Sequence, residues 1–184
     1  MSFAGAVLCG GSSTRMGTDK SLMQFNGHVR AVAAIATLLD SGVAEAVCLG
    51  GDRHALEALG LVVVPDGLPG AGPLAAVATG LAWAQRRGHA SLLVIACDMP
   101  NLTAPLLASL AASLGDNECC VAESSRGIEP LCALYSVGCT PVFDRLVGEG
   151  QRSMRAGIAA LGSHLVPIDD DNLVLNVNSP LDLA

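Results

Sequence analysis

The chain has 184 residues and a formal net charge of -7; 51% of its residues are hydrophobic and only 15% are charged. That balance excludes an intrinsically disordered chain and disfavours nucleic acid and anionic membrane as partners, because both are recognised mainly through positive charge. The length suits one domain, residues 1–184, and with aromatics at 3% its core must be built from Ala, Val and Leu.

In chain order, strands are expected at 4–9, 46–49, 61–64, 92–97 and 119–122, with weaker candidates at 131–135 and 165–168. Helices are expected at 29–40, 53–59, 73–87, 104–114, 139–147 and 153–161, with Pro73 and Pro105 near helix starts, where proline is tolerated. The early strands are near-continuous apolar runs without clean alternation. Both of their faces should therefore be covered, as in parallel strands of an α/β fold. The apolar stretches near 31–39 and 92–97 fall short of the roughly 20 residues that a membrane helix needs. The N-terminal apolar run breaks at Gly10–Gly11 and has no basic stretch before it, so a cytoplasmic protein is expected. The seven cysteines are odd in number and contain no C-x-x-C, which argues against a disulfide framework or a zinc ribbon. No histidine has a partner at metal-ligand spacing.

Ligands of such a sheet bind beyond the carboxyl ends of its strands. The least ordinary stretches all follow expected strands. The first reads LCGGSSTRMGTDK, from Leu8 to Lys20. Gly10 and Gly11 allow backbone N–H groups to approach a ligand, Ser12 and its neighbours add donors, and Arg15 with Lys20 supplies positive charge suited to a polyphosphate. Lys20 is the sole lysine, against nine arginines, and the spacing does not fit a Walker A loop. The second stretch, DGLPGAGPLA from Asp66, formally holds a G-x-G-x-x-A at Gly70–Ala75. Four residues separate it from its strand, so it reads as a loop over a ligand, with Gly72–Pro73 opening a helix. Asp66 is a candidate contact to ribose or base, or a turn residue.

The third stretch is CDMP. Asp98 ends the most hydrophobic strand, and a carboxylate there needs a partner. Mg²⁺ bound to phosphate oxygens would supply one. Arg152 and Arg155 lie three apart and would share one face if helical; they could meet a second phosphate or face solvent. Asn176 and Asn178 project to one side of an extended stretch, where they could bind a ligand or a metal-bound water, or pin a turn.

LCGGSSTRMGTDKSL, PDGLPGAGPLA, CDMPNL, EPLCALY and NVNSPLDL, in this order from about Leu8 to Leu183, resemble the molybdenum cofactor guanylyltransferase family. The resemblance implies an α/β, Rossmann-like three-layer nucleotidyltransferase fold with a mainly parallel sheet. It also implies transfer of GMP from GTP to the phosphate of molybdenum-molybdopterin, with release of pyrophosphate. It places Leu8, Cys9, Gly10, Gly11, Ser12, Lys20, Asp66 and Gly72 at GTP, and Arg152, Asn176 and Asn178 on the pterin side. Asp98 would be the metal ligand, with Mg²⁺ as cofactor, and Arg15, Lys20 and Asp98 would form the catalytic set. A molybdenum insertion protein and molybdoenzyme chaperones would be its protein partners. The chain departs from the family pattern at Cys9, where Ala is usual, and at Gly50–Gly51, where an Asn often contacts the nucleotide. Gly10–Gly11 and Asp19 favour guanine over cytosine. The alternatives are a cytidylyl- or sugar-phosphate nucleotidyltransferase and a non-catalytic GTP-binding module that passes cofactor on. An NAD-dependent oxidoreductase built on Gly70–Ala75 is the weakest reading.

Overall fold

The computed structural model describes residues 2–10 and 19–177. The strands are β1 (Phe3–Leu8), β2 (Gln24–Phe25), β3 (His28–Val29), β4 (Ala46–Leu49), β5 (Val63–Val64), β6 (Ser91–Ala96), β7 (Cys119–Ser124), β8 (Gly127–Ser136) and β9 (Ser163–Pro167). The α-helices are α1 (Arg30–Asp40), α2 (Arg53–Ala58), α3 (Pro73–Arg86), α4 (Ala104–Ala112), α5 (Thr140–Gly148) and α6 (Met154–Ala159). Seven strands form one sheet in the order β5-β4-β1-β6-β8-β7-β9. The run β5-β4-β1-β6 is parallel, β8 is antiparallel to both of its neighbours, and β9 is parallel to β7. The sheet is therefore mainly parallel, as the continuous apolar runs require, and the one reversed strand is the one that follows a tight turn from β7.

Helices cover both faces. On one side Leu74, Val77 and Leu81 of α3, Phe143 of α5 and Ile158 of α6 meet Ala4, Ala6, Leu92 and Val94. On the other, Ala31, Ile35 and Leu38 of α1, Leu56 of α2 and Leu107 and Leu110 of α4 meet Val7, Leu93 and Ile95. All six residues of β6 are buried, consistent with a strand covered on both faces. Tyr135 is fully buried. Its hydroxyl donates to the Pro130 carbonyl at 2.7 Å, and its ring stands edge-on to Phe143 at 5.6 Å.

Two features lie outside the sequence expectation. The first is the small hairpin β2–β3, turned by Asn26 and Gly27, both at positive φ (49° and 81°). The second is a clasp at the amino edge of the sheet. Glu45 accepts from Arg87 Nε at 2.9 Å and from His89 Nε2 at 2.7 Å, while the Ser2 hydroxyl faces His89 Nδ1 at 3.1 Å. A cavity of about 700 Å³ also opens at that edge, beside Ser41, Gly42, Ala108, Ala112 and Asn117. None of the candidate site residues lines it. No helix among the described residues is long and apolar enough to cross a membrane.

Candidate active site

Because β5, β4, β1 and β6 run the same way, Val64, Leu49, Leu8 and Ala96 all end at one edge. The segments that leave them carry the candidate residues. Leu8 and Cys9 are buried. The Leu8 carbonyl accepts from Cys97 N–H at 3.4 Å, and the N–H groups of both Cys9 and Gly10 donate to Leu49 O at 3.0 Å. The sheet thus uses the N–H of Gly10 itself. What Gly10 offers is room. Gly11, Ser12 and Arg15 of the same loop, and Asn178 near the C-terminus, lie outside the described residues.

The room at Gly10 is shared with Gly50 and Asp66. A Cβ on Gly10 would stand 3.0 Å from Asp66 Oδ2, and one on Gly50 would stand 2.7 Å from the same oxygen. Gly50 also has φ +66°, in the left-handed region that glycine adopts without strain. The Asp66 carboxylate therefore fills the space that a side chain at position 50 would need. Its Oδ1 is buried and has no hydrogen-bond partner among the described residues. Burial raises the Asp66 pKa above the ordinary carboxylate value.

The lysine-bearing loop is tied down beside this cradle. Asp19 caps a 3-10 turn, Lys20–Leu22, by accepting from Ser21 N at 2.9 Å and Ser21 Oγ at 2.7 Å; its other oxygen accepts from Asp52 N at 2.9 Å. Lys20, half-buried, thus sits in a turn joined to the segment after β4.

Asp98 follows β6 in a turn where Met99 N–H donates to Ala96 O at 3.5 Å. Its carbonyl accepts from Val177 N–H at 2.8 Å, which brings the exposed Asn176 to the same edge. The charges around this turn are felt by Cys97. Burial first, then Asp98 and Asp19, push its thiol up to about 12, and Arg30 opposes them. Among the described residues no three His, Cys, Asp or Glu side chains gather around a metal position. One half-buried carboxylate is still compatible with Mg²⁺, which takes one or two protein carboxylates and fills its shell with phosphate and water.

Gly72 and Arg152 meet directly. Gly72 has φ +86°, and a Cβ there would lie 3.0 Å from Arg152 Cβ and 3.1 Å from its carbonyl oxygen. The same carbonyl accepts from Leu74 N–H at 3.3 Å, in the first turn of α3. Arg152 precedes α6, whose N-cap is Ser153 in extended conformation. Arg152 thus lies outside the helix, so the condition for a shared helical face with Arg155 is not met, and Arg155 donates to Ile128 O at 3.0 Å. Arg30 went unnoticed in the sequence. Helical phase gives no signal: Arg30 is buried along with Ala31, Ile35 and Leu38, yet a five-residue step sets it well off the Ile35 direction.

The model of the MobA-like NTP transferase domain matches residues 5–165. The chain belongs to the MobA-like NTP transferase family. It is 33% identical over 186 residues to the molybdenum cofactor guanylyltransferase of Cereibacter sphaeroides (strain ATCC 17029 / ATH 2.4.9), covering 100% of this chain and 95% of that protein. It is 35% identical over 179 residues to a probable molybdenum cofactor guanylyltransferase of Mycobacterium tuberculosis, covering 96% and 89%. Among solved structures it resembles the molybdopterin-guanine dinucleotide biosynthesis protein A of Archaeoglobus fulgidus, with a TM-score of 0.76 at 23% identity over 98% of this chain and 94% of that one. That last likeness concerns the fold. The domain is that of a nucleotidyltransferase, so this chain is an enzyme of the transferase class.

Proposed function

We propose that this member of the family is a molybdenum cofactor guanylyltransferase, acting through a single domain spanning residues 1–184. A phosphate oxygen of molybdenum-molybdopterin attacks the α-phosphorus of GTP. The bond from that phosphorus to the oxygen bridging the β-phosphate breaks, and pyrophosphate leaves. A phosphate monoester with a second pKa near ~6 is already largely dianionic at neutral pH, so no general base is required. The work left to the protein is to hold two anions in line and to favour the charge that builds on the leaving group.

The observation that carries this reading is one edge holding two unlike sites. The cradle of Gly10, Gly50 and Asp66 offers a buried, unpartnered carboxylate oxygen, which suits the N–H donors of a guanine or the hydroxyls of a ribose. Across β1, Asp98 is joined to the segment bearing Asn176. Leu8 and Cys9 form the floor, Gly10 leaves room beside it, and Gly72 sets the loop against Arg152 on the pterin side. Gly11, Ser12, Lys20 and Arg15 meet the triphosphate, and Asn176 and Asn178 the acceptor. Asp98 would hold Mg²⁺, which when bound neutralises charge on the triphosphate and the departing pyrophosphate. The protein acts in the cytoplasm, where its seven free cysteines stay reduced. A molybdenum insertion protein and molybdoenzyme chaperones are its expected protein partners.

Pyrophosphate release, measured with GTP, CTP and UTP against molybdenum-molybdopterin and sugar phosphates, tests the reading. Turnover only with GTP and molybdenum-molybdopterin is expected; turnover with CTP or a sugar phosphate instead would sink it. In the same assay Asp98→Ala should abolish turnover. Lys20→Ala should lower kcat by roughly 10²–10³ if its ammonium stabilises charge in the transition state.

A further inference from the structure

Arg30 is a buried cation with few partners. It is 4% exposed, its Nη1 donates to the Val177 carbonyl at 2.8 Å, and its Nε is buried with no hydrogen-bond partner. No carboxylate among the described residues pairs with it. It is also the first residue of α1, where the helix dipole disfavours a cation. A guanidinium held this way costs stability, so a purely structural account fails: an apolar side chain of the same length would fill the site at less cost.

The arrangement beyond Val177 gives the charge a use. Val177 accepts from Arg30 through its carbonyl and donates through its N–H to the Asp98 carbonyl at 2.8 Å. One residue is thus gripped at both polar groups, between the start of α1 and the turn after β6. Its neighbours in sequence are Asn176 and Asn178. We propose that Arg30 is a positioning residue for the acceptor substrate: through Val177 it fixes the asparagine-bearing segment against the Asp98 turn, so that acceptor contacts and the metal-side carboxylate keep one spacing. This rests on the functional reading above and adds a residue that acts through Val177.

The test compares Arg30→Met, which keeps length and loses the donors, with Arg30→Lys, which keeps charge and one donor group. GTP and molybdenum-molybdopterin are varied separately, and thermal unfolding and amide hydrogen exchange at Val177 are recorded on the same preparations. For Arg30→Met the expected results are a melting temperature equal to or above wild type, faster exchange at Val177, an unchanged KM for GTP and an acceptor KM raised roughly tenfold. Arg30→Lys should restore part of the acceptor KM. An unchanged acceptor KM, equal rises in both KM values, or unchanged exchange at Val177 would each overturn the proposal. If Arg30→Met does not fold, Arg30→Lys decides alone: it must show the acceptor-selective rise in smaller degree, and wild-type behaviour overturns the idea. Wild-type protein that makes no dinucleotide product defeats the functional reading and this inference with it. Wild-type turnover with an indifferent Arg30→Met defeats the inference only.

Discussion

Asp66 holds its carboxylate at a cost, which a nucleotide would offset if it bound as proposed. Burial raises its pKa in the folded protein above the unfolded value, so the stability linked to this group is present below the unfolded pKa and is lost as pH rises through the folded one. At neutral pH the ionised form is therefore a burden on the fold. Asp66→Asn should melt higher than wild type at pH 7, and the two curves should converge near pH 4. Its affinity for GTP, read by titration calorimetry, should fall roughly tenfold or more for loss of a charge-assisted hydrogen bond. Equal melting temperatures at both pH values would remove the burial argument. The sequence showed Asp66 as a candidate but left it between ligand contact and turn. The structure adds its closeness to Gly10 and Gly50, each on a different strand's exit, and no local pattern in the chain reports such a meeting. Arg30 was harder still. Charged residues at helix starts are commonly solvated, and nothing in its spacing from Ile35 and Leu38 marks this one as buried.

The helix α3 depends on a glycine outside its own span. Gly72, its N-cap, sits at φ 86° and ψ 179°, a region open essentially to glycine alone and costing other residues about 1–3 kcal/mol. Arg152 closes the space above it and caps the N–H of Leu74. Gly72→Ala should therefore destabilise by about 1–3 kcal/mol in urea unfolding and loosen Arg152 at once; a stability within error of wild type would refute the packing argument. Elements were the most legible part of this chain. Helices at 73–87 and 104–114 were readable from Pro73, Pro105 and their Ala/Leu content, and they form as Pro73–Arg86 and Ala104–Ala112. The hairpin at Asn26–Gly27 was missed although Asn-Gly is a strong turn signal, because its strands are only two residues each and carry no periodicity. Strand β8 was seen only in its buried second half. Its first residues, Gly127–Leu131, are half-buried and pair with β7 by way of a bulge, so no apolar run marks them.

At the scale of the whole molecule, the sheet separates the edge that carries the candidate residues from a structural one. The clasp of Glu45, Arg87 and His89 belongs to the second. Arg87 first and His89 next hold the Glu45 carboxyl below its ordinary pKa, so its contribution is present above the unfolded value and disappears as pH falls through the folded one. Glu45→Gln should melt lower than wild type at pH 7, and the difference should vanish in acid; a constant gap from pH 7 to pH 3 would show that the ionised carboxylate is not what matters. The thiols have a consequence of another kind. All seven are free and buried, and burial pushes Cys97, Cys119, Cys132 and Cys139 up to about 12. Folded protein should thus resist iodoacetamide. Each alkylated sulfur would then record an opening of the sheet, making mass spectrometry a clock for breathing of the chain that needs neither substrate nor dye.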